Sequence, residues 1–216
     1  MKKKLIDAIK NKNIENVRSL LANSNKLKLN KKDEDGNYPL FEAINNNSIE
    51  IVRLLLEYAI QHQIILNLNE NDENGDYPLL IAISNNNFEI VNLLIKYANQ
   101  NLIILNLNEN NKNGDYPILE TISRNNIEIF KLLIEYANQH QIILNLCKNE
   151  KVYPLYWVIS NNNIEIVKLL IEYTNKHQII LELNEKDKYG NNPLLKAILN
   201  NNIEIVKLLI EHTSHH

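Results

Sequence analysis

His62, His140 and His177 occupy corresponding places in a repeating pattern, and a column of imidazoles is the outline of a metal site. Zinc needs its ligand nitrogens within about 2.1 Å of one ion, whereas stacked helices lie about 10 Å apart. The column therefore predicts solvent-facing histidines and no metal. His212, His215 and His216 fall in EHTSHH, where the inner pattern breaks, and both a residual tag and a native metal tail fit that composition. Cys147 is the single cysteine and has no neighbouring His or Cys, so it can close no internal disulfide and predicts no redox role. No nucleophile–base pair, phosphate-cradling glycine loop or ligand cluster occurs, so neither catalysis nor a cofactor is expected.

Recognition is the chemistry that remains. Tyr156 and the single tryptophan, Trp157, are adjacent, and positions matching Trp157 elsewhere in the pattern are Glu42, Ile81, Glu120 and Lys196. A large ring in so variable a column reads either as an interface anchor or as core filling. The net charge of −3 comes with scattered basic residues, which leaves no phosphate-binding footprint and makes nucleic acid an unexpected partner. No apolar run approaches the roughly 18 residues that cross a bilayer, and residues 1–9 carry no export signal core. A cytoplasmic, intracellular site is the expectation. With 44% hydrophobic and 23% charged residues over 216 positions, the chain has enough apolar surface for a sizeable core.

The elements that position these groups are set by a repeat. Pro39, Pro78, Pro117, Pro154 and Pro193 are separated by 39, 39, 37 and 39 residues, and Gly36, Gly75, Gly114 and Gly190 each precede one of them by three. Residues 72–108 show one unit. Asp72 to Gly75 reads as a turn, since Asp bonds nearby backbone and Gly accepts positive φ. Pro78 suits the first turn of a helix, where its missing N–H costs nothing. Leu79, Leu80, Ala82 and Ile83 then make the stripe of a helix about two turns long. Asn85, Asn86 and Asn87 end it, because Asn tolerates the left-handed conformation and also caps a following helix. Phe88, Ile90, Val91, Leu93, Leu94 and Ile95 give the second helix a broad apolar face that needs neighbours on more than one side. Leu105 and Leu107 alternate with Asn106 and Asn108, which predicts a short strand. Asparagine is abundant, at 40 residues, but it is placed rather than random.

The pattern returns as DGNYPLFEAI, NGDYPLLIAI, NGDYPILETI, EKVYPLYWVI and YGNNPLLKAI, each followed by an Asn-rich linker and a helix like IEIVKLLI. In this it resembles the ankyrin repeat over essentially the whole chain. The resemblance implies an all-α, ankyrin-type solenoid of stacked helix-turn-helix units with β-turn or hairpin fingers. Domain boundaries follow as one array over 1–216: a capping helix pair at 1–30, repeats near 31–69, 70–108, 109–145, 146–182 and 183–211, and a tail at 212–216. Against the family's usual 33 residues this period adds six, expected between the second helix and the Asn-Leu-Asn segment as a longer helix. The family's Thr before Pro is Tyr38, Tyr77, Tyr116, Tyr153 or Asn192 here, and its His two residues after Pro is Phe41, Leu80, Leu119, Tyr156 or Leu195. Apolar packing is expected in place of the Thr–His hydrogen bond.

Turn tips and short first helices line the concave face of ankyrin-like stacks. The resemblance therefore places partner-binding residues at Glu34, Asp35, Asn37, Glu73, Asn74, Asp76, Lys112, Asn113, Asp115, Lys188 and Tyr189 on the tips, with Arg124, Tyr156 and Trp157 on the short helices. A protein or peptide is the expected partner, with a basic segment facing the acidic early tips. The segment from Cys147 to Pro154 is two residues short and lacks its glycine, which singles out the place where Trp157 follows. Lys2, Lys3, Lys4, Lys10, Lys12 and Arg18 supply a polar outer face at the first unit. Ile203, Ile205, Val206, Leu208, Leu209 and Ile210 supply none at the last, so further repeats or a second copy are expected against it. The functional expectation is a non-catalytic interaction scaffold. The alternatives are a self-assembling structural module and a regulatory or targeting segment of a larger protein.

Overall fold

The computed structural model describes residues 2–24, 27–32, 36–146, 154–181, 183, 186 and 190–213. Among them the chain forms twelve helices and no strand, in two compact units, 1–116 and 117–216.

The first unit holds three helix pairs: α1 (Lys2–Lys10) with α2 (Ile14–Ala22), α3 (Pro39–Asn45) with α4 (Ile49–Gln61), and α5 (Pro78–Ser84) with α6 (Phe88–Gln100). Each short helix packs on its own partner; α1, α3 and α5 form one row, and α2, α4 and α6 a second. The second unit repeats the plan with α7 (Pro117–Ser123), α8 (Ile127–Gln139), α9 (Pro154–Ser160), α10 (Ile164–His177), α11 (Pro193–Leu199) and α12 (Ile203–Thr213). Each core is the set of apolar stripes trapped between rows. Ile44, Ile83, Val52 and Leu55 are fully buried in the first unit, as are Ile122, Ile129, Leu133 and Val167 in the second.

Proline opens every short helix after α1, and an asparagine-rich run closes each in three steps, with Arg124 in the first place after α7 and Ser48 in the third after α3. The first Asn is the C-cap. The second turns left-handed, with φ near 54° at Asn47, Asn86 and Asn201. The third caps the next helix: the side chains of Asn87, Asn126, Asn163 and Asn202 accept from the N–H groups of Ile90, Ile129, Ile166 and Ile205 at 3.0 Å. Each run also bonds across a repeat junction. Asn85 donates its amide to the carbonyl of Ile44 at 2.9 Å, and Asn87 to the Asn47 side chain at 2.6 Å. In the second unit Asn200 donates to the Ile159 carbonyl and Asn202 to Asn162, both at 2.7 Å.

The added six residues lengthen the second helices to 13 or 14 residues. A second left-handed residue follows each at Gln63, Leu102, Gln141 and Gln178. The expected strand does not form. Its backbone groups are taken by side chains of the adjacent repeat: Asn69 donates to the carbonyl of Ile104 at 2.7 Å and accepts from the N–H of Asn106 at 3.1 Å. Asn30 treats Ile65 and Asn67 in the same way. A carboxamide holds a carbonyl and an N–H at once, as a strand neighbour does, so no ladder is needed. Cys147, which stands in this asparagine column, has no amide to offer; it lies outside the described residues.

The tyrosines correct the expectation of purely apolar packing. Tyr38 and Tyr77 are buried, yet their hydroxyls donate to the carbonyls of Asn67 and Glu109 at 3.0 Å. A second column lies on the long helices. Tyr97 donates to the carbonyl of Ile64 at 2.7 Å and accepts from the N–H of Leu66 at 3.3 Å, and Tyr58 and Tyr173 make the same double contact. His212 takes this column's place in α12 and is itself buried, so it belongs to the helix, which runs on to Thr213.

Candidate functional site

Two turns of the first unit carry most of the described candidate residues. In the first, the Asp72 carboxylate accepts from the N–H groups of Asn74 and Asp76, both at 2.8 Å, and Gly75 takes φ 82°. Asn111 repeats this in the second turn, accepting from Asn113 at 3.0 Å and Asp115 at 2.9 Å, with Gly114 at φ 89°. The two turns are then stitched together. The Lys112 N–H donates to the carbonyl of Asn74 at 2.9 Å, and the Asn111 amide donates to the Asp76 carboxylate at 2.8 Å. A Cβ on Gly75 would lie 3.1 Å from the Asn111 Cα, so glycine is required there by the approach of the neighbouring tip as well as by φ.

This geometry sorts the expected residues. Glu73, Asn74, Lys112 and Asn113 are exposed on locked backbone. Asp76 and Asp115 are half-buried and bonded to Asn111, at 2.8 and 3.3 Å, so they hold the ledge together rather than face outward. Asn37 is half-buried. Glu34, Asp35, Lys188 and Tyr189 lie outside the described residues, as do His215, His216 and most of the shortened turn before Pro154.

Electrostatics near the ledge are local. Lys32 and Asn67 bond the Glu70 carboxylate at 2.8 and 2.7 Å and hold its pKa below the ordinary value. Burial, with the Glu70 and Asp72 carboxylates nearby, pushes the Tyr38 phenol far above its ordinary range. Burial, with Glu109 and Asp76, does the same to Tyr77.

In the second unit the candidates lie on the short helices. Arg124 donates to the buried Glu120 at 2.8 Å, so its charge is committed within α7 and its capping turn. Trp157 is 44% exposed and does not fill the core. Tyr156 is half-buried with the Lys196 ammonium 6.0 Å from its ring centroid. An exposed indole beside a tyrosine and a cation offers a flat apolar and cationic surface.

The histidine column is placed differently from the expectation. His62, His140 and His177 are half-buried, each packed against the buried tyrosine four residues earlier, at 4.1, 4.2 and 4.3 Å between ring centroids, the first pair stacked and the other two tilted. They shield the tyrosines from water. Among the described residues no group of three or more His, Cys, Asp or Glu is placed to hold a metal ion, and no helix is long and apolar enough to cross a membrane.

One surface was not anticipated. Ile60, Ile65, Leu102 and Ile104 in the first unit, and Ile143 and Ile180 in the second, are exposed at the added residues of each repeat. Ile60 and Ile65 line a groove of about 490 Å³ with Gln63, Gln100 and Asn101. The signal in the sequence was the recurring Ile-Ile before each Leu-Asn, which alternation alone assigns to one face or the other without saying which is covered.

Among solved structures, an ankyrin repeat domain from Acinetobacter baumannii AYE is similar at 23% identity with a TM-score of 0.73, covering 97% of both chains. A chain from the Bdellovibrio bacteriovorus predatory endopeptidase in complex with its immunity protein is similar at 22% identity, TM-score 0.66 and 97% of both chains. The ankyrin repeat domain of Bcl-3, of the IkappaB protein family, follows the fold at 18% identity and TM-score 0.67, with 97% of this chain and 85% of that one covered. No curated protein sequence matches. The family model for ankyrin repeats in three copies matches residues 5–104, 100–178 and 139–216. With that model spanning nearly every helix pair described above, the chain belongs to the ankyrin repeat family.

Proposed function

We propose that the chain is a non-catalytic scaffold that binds a polypeptide partner along the concave face formed by turn tips and short helices. Ankyrin repeat domains are generally protein–protein interaction modules. The observation that carries the reading here is the stitched pair of tips, where Glu73, Asn74, Lys112 and Asn113 stand exposed on backbone locked by Asp72 and Asn111. A surface ordered before binding loses little entropy on contact, which favours affinity. Partner capture from the source organism, followed by charge reversal of Glu34, Asp35 and Glu73, tests it. Affinity for a partner with a basic segment is expected to fall about tenfold, and unchanged affinity rejects the acidic tips as the contact. Trp157→Ala is expected to weaken binding at least tenfold with little change in thermal stability, because the indole is half in solvent. A loss of stability with unchanged affinity removes Trp157 from the site.

A second reading, stacking of the chain through its last repeat, is favoured by one specific observation. Ile198 and Ile210 are 54% and 53% exposed, whereas the matching Ile159 and Ile171 of the preceding repeat are 0% and 9% exposed. The first of these positions is buried at Ile44, Ile83 and Ile122 as well, and the second at Leu56 and Ile95, so two large side chains that are mostly covered elsewhere are open there.

A further inference from the structure

Three of the four repeat junctions inside the two units are joined by three polar links in a fixed register, the first junction having Lys12 and Ser48 where the second link's asparagines stand elsewhere, and the outward face of α11–α12 has one half of each link. The first link is the amide of a C-capping asparagine to an isoleucine carbonyl one repeat earlier, as from Asn161 to Ile122 at 2.6 Å and from Asn200 to Ile159 at 2.7 Å. The second joins the helix-opening asparagine to the left-handed asparagine of the earlier repeat, as from Asn163 to Asn125 at 2.7 Å. The third is an ion pair between long helices: Arg18 with Glu50 at 2.9 Å, Arg53 with Glu89, Lys131 with Glu165 at 2.5 Å and Lys168 with Glu204 at 2.6 Å. On α11–α12 the matching groups are the Ile198 carbonyl, the exposed Asn201 side chain and the exposed Lys207, for which no ion pair forms among the described residues.

The complementary halves exist elsewhere in the same chain. Asn11, Asn13 and Glu15 stand at the C-cap, helix-opening and carboxylate positions of α1–α2, spaced as Asn200, Asn202 and Glu204 are in the last repeat. All three are exposed. Resting on the stacking reading above and naming its occupant, we infer that the outward face of α11–α12 docks the α1–α2 face of a second copy of this chain. Lys207 then pairs with Glu15, Asn201 receives the Asn13 amide, and the Ile198 carbonyl receives Asn11. Ile198 and Ile210 are covered in part by Leu20. The contact is heterologous, one surface meeting a different one, so it does not close on itself as a two-fold dimer does. It is also weaker than an internal junction, because exposed Asn16 and Ser19 occupy the places of buried Ile51 and Leu54.

Light scattering across a wide concentration range tests this on the full chain. The average mass is expected to rise above that of one chain at the highest concentrations. Lys207→Glu and Glu15→Lys, both at exposed positions, are each expected to weaken association about fivefold, and the double exchange to restore it. Ile210→Asp is expected to abolish it. Association that Ile210→Asp or Ile198→Asp abolishes but Glu15→Lys leaves unchanged means that two α11–α12 faces pair with each other; that overturns the inference and keeps the stacking reading. A mass of one chain at every concentration overturns both.

Discussion

At Leu102 the backbone and the side chain are both in unfavourable states. Its φ is 56°, where the other repeats place Gln63, Gln141 and Gln178, and its side chain is 90% exposed. A non-glycine residue in the left-handed region costs roughly 1 kcal/mol, and asparagine reduces that cost through local hydrogen bonding. Leu102→Asn is therefore expected to raise the urea midpoint by an amount worth about 0.5–1 kcal/mol. Tyr97 argues the other way. Its hydroxyl serves both the Ile64 carbonyl and the Leu66 N–H, so Tyr97→Phe strands two backbone groups and should cost about 1–3 kcal/mol. The same burial sets a pH dependence. Tyr38, Tyr77, Tyr97 and Tyr173 all have phenols raised above the ordinary value of 10, with burial as the main cause. A raised folded-state pKa contributes stability that is fully present below pH 10 and is lost as pH rises beyond it, since the unfolded chain then releases protons the folded one retains. Alkaline titration followed by phenolate absorbance and helicity together should show unfolding above pH 10, moved to higher pH in Tyr77→Phe.

The helix-to-helix turns are the elements in which asparagine does most, and their three positions are separable. Asn47 is left-handed and also accepts from Asn87, so Asn47→Gly keeps the backbone but loses the acceptor, whereas Asn47→Ala loses both. Alanine should be the worse by about 1 kcal/mol, measured as the difference in denaturation midpoints. The turn tips permit a similar separation. Gly36 and Gly75 have φ near 81° and 82°, but a Cβ on Gly36 meets nothing within 4 Å while one on Gly75 meets Asn111 backbone. Gly75→Ala should exceed Gly36→Ala in cost, and equal costs would dissociate the two tips. These turns were largely legible beforehand, because proline, glycine and asparagine each act on their own backbone within a few residues. The tyrosine columns and the asparagine clasps were not. Tyr97 and Leu66 are 31 residues apart, and Asn69 and Asn106 are 37 apart, so no pattern within one repeat reveals that one satisfies the other. The same distance hid the fate of Asp76, which Asn111 of the next tip takes up; Arg124, committed to Glu120 four residues away, shows that even a local pair escapes when both residues also suit an open surface.

Across the whole molecule, the contacts that join repeats are many and individually weak. The four long-helix ion pairs are all exposed, and exposed pairs contribute about 0.2–1 kcal/mol each. Raising salt to screen them should lower stability by no more than about 4 kcal/mol, which a salt series of urea melts checks; a larger loss would give them a part in holding the fold that burial of Ile44, Ile83 and Ile122 otherwise fills. Fold class was the most legible property of all, since a repeated unit states the architecture as many times as it occurs. The added isoleucines show the limit. Whether Ile65 and Ile104 face a neighbour or solvent depends on where the long helices end, and the left-handed residues that end them are glutamine and leucine, not residues with a strong preference for that turn. The half-exposed Trp157 has a practical consequence. Because seven tyrosines are buried and the single tryptophan stands open, the chain carries its own optical label. Tyrosine emission follows the integrity of the stack, while the colour and quenching of one indole report whatever comes to rest on α9.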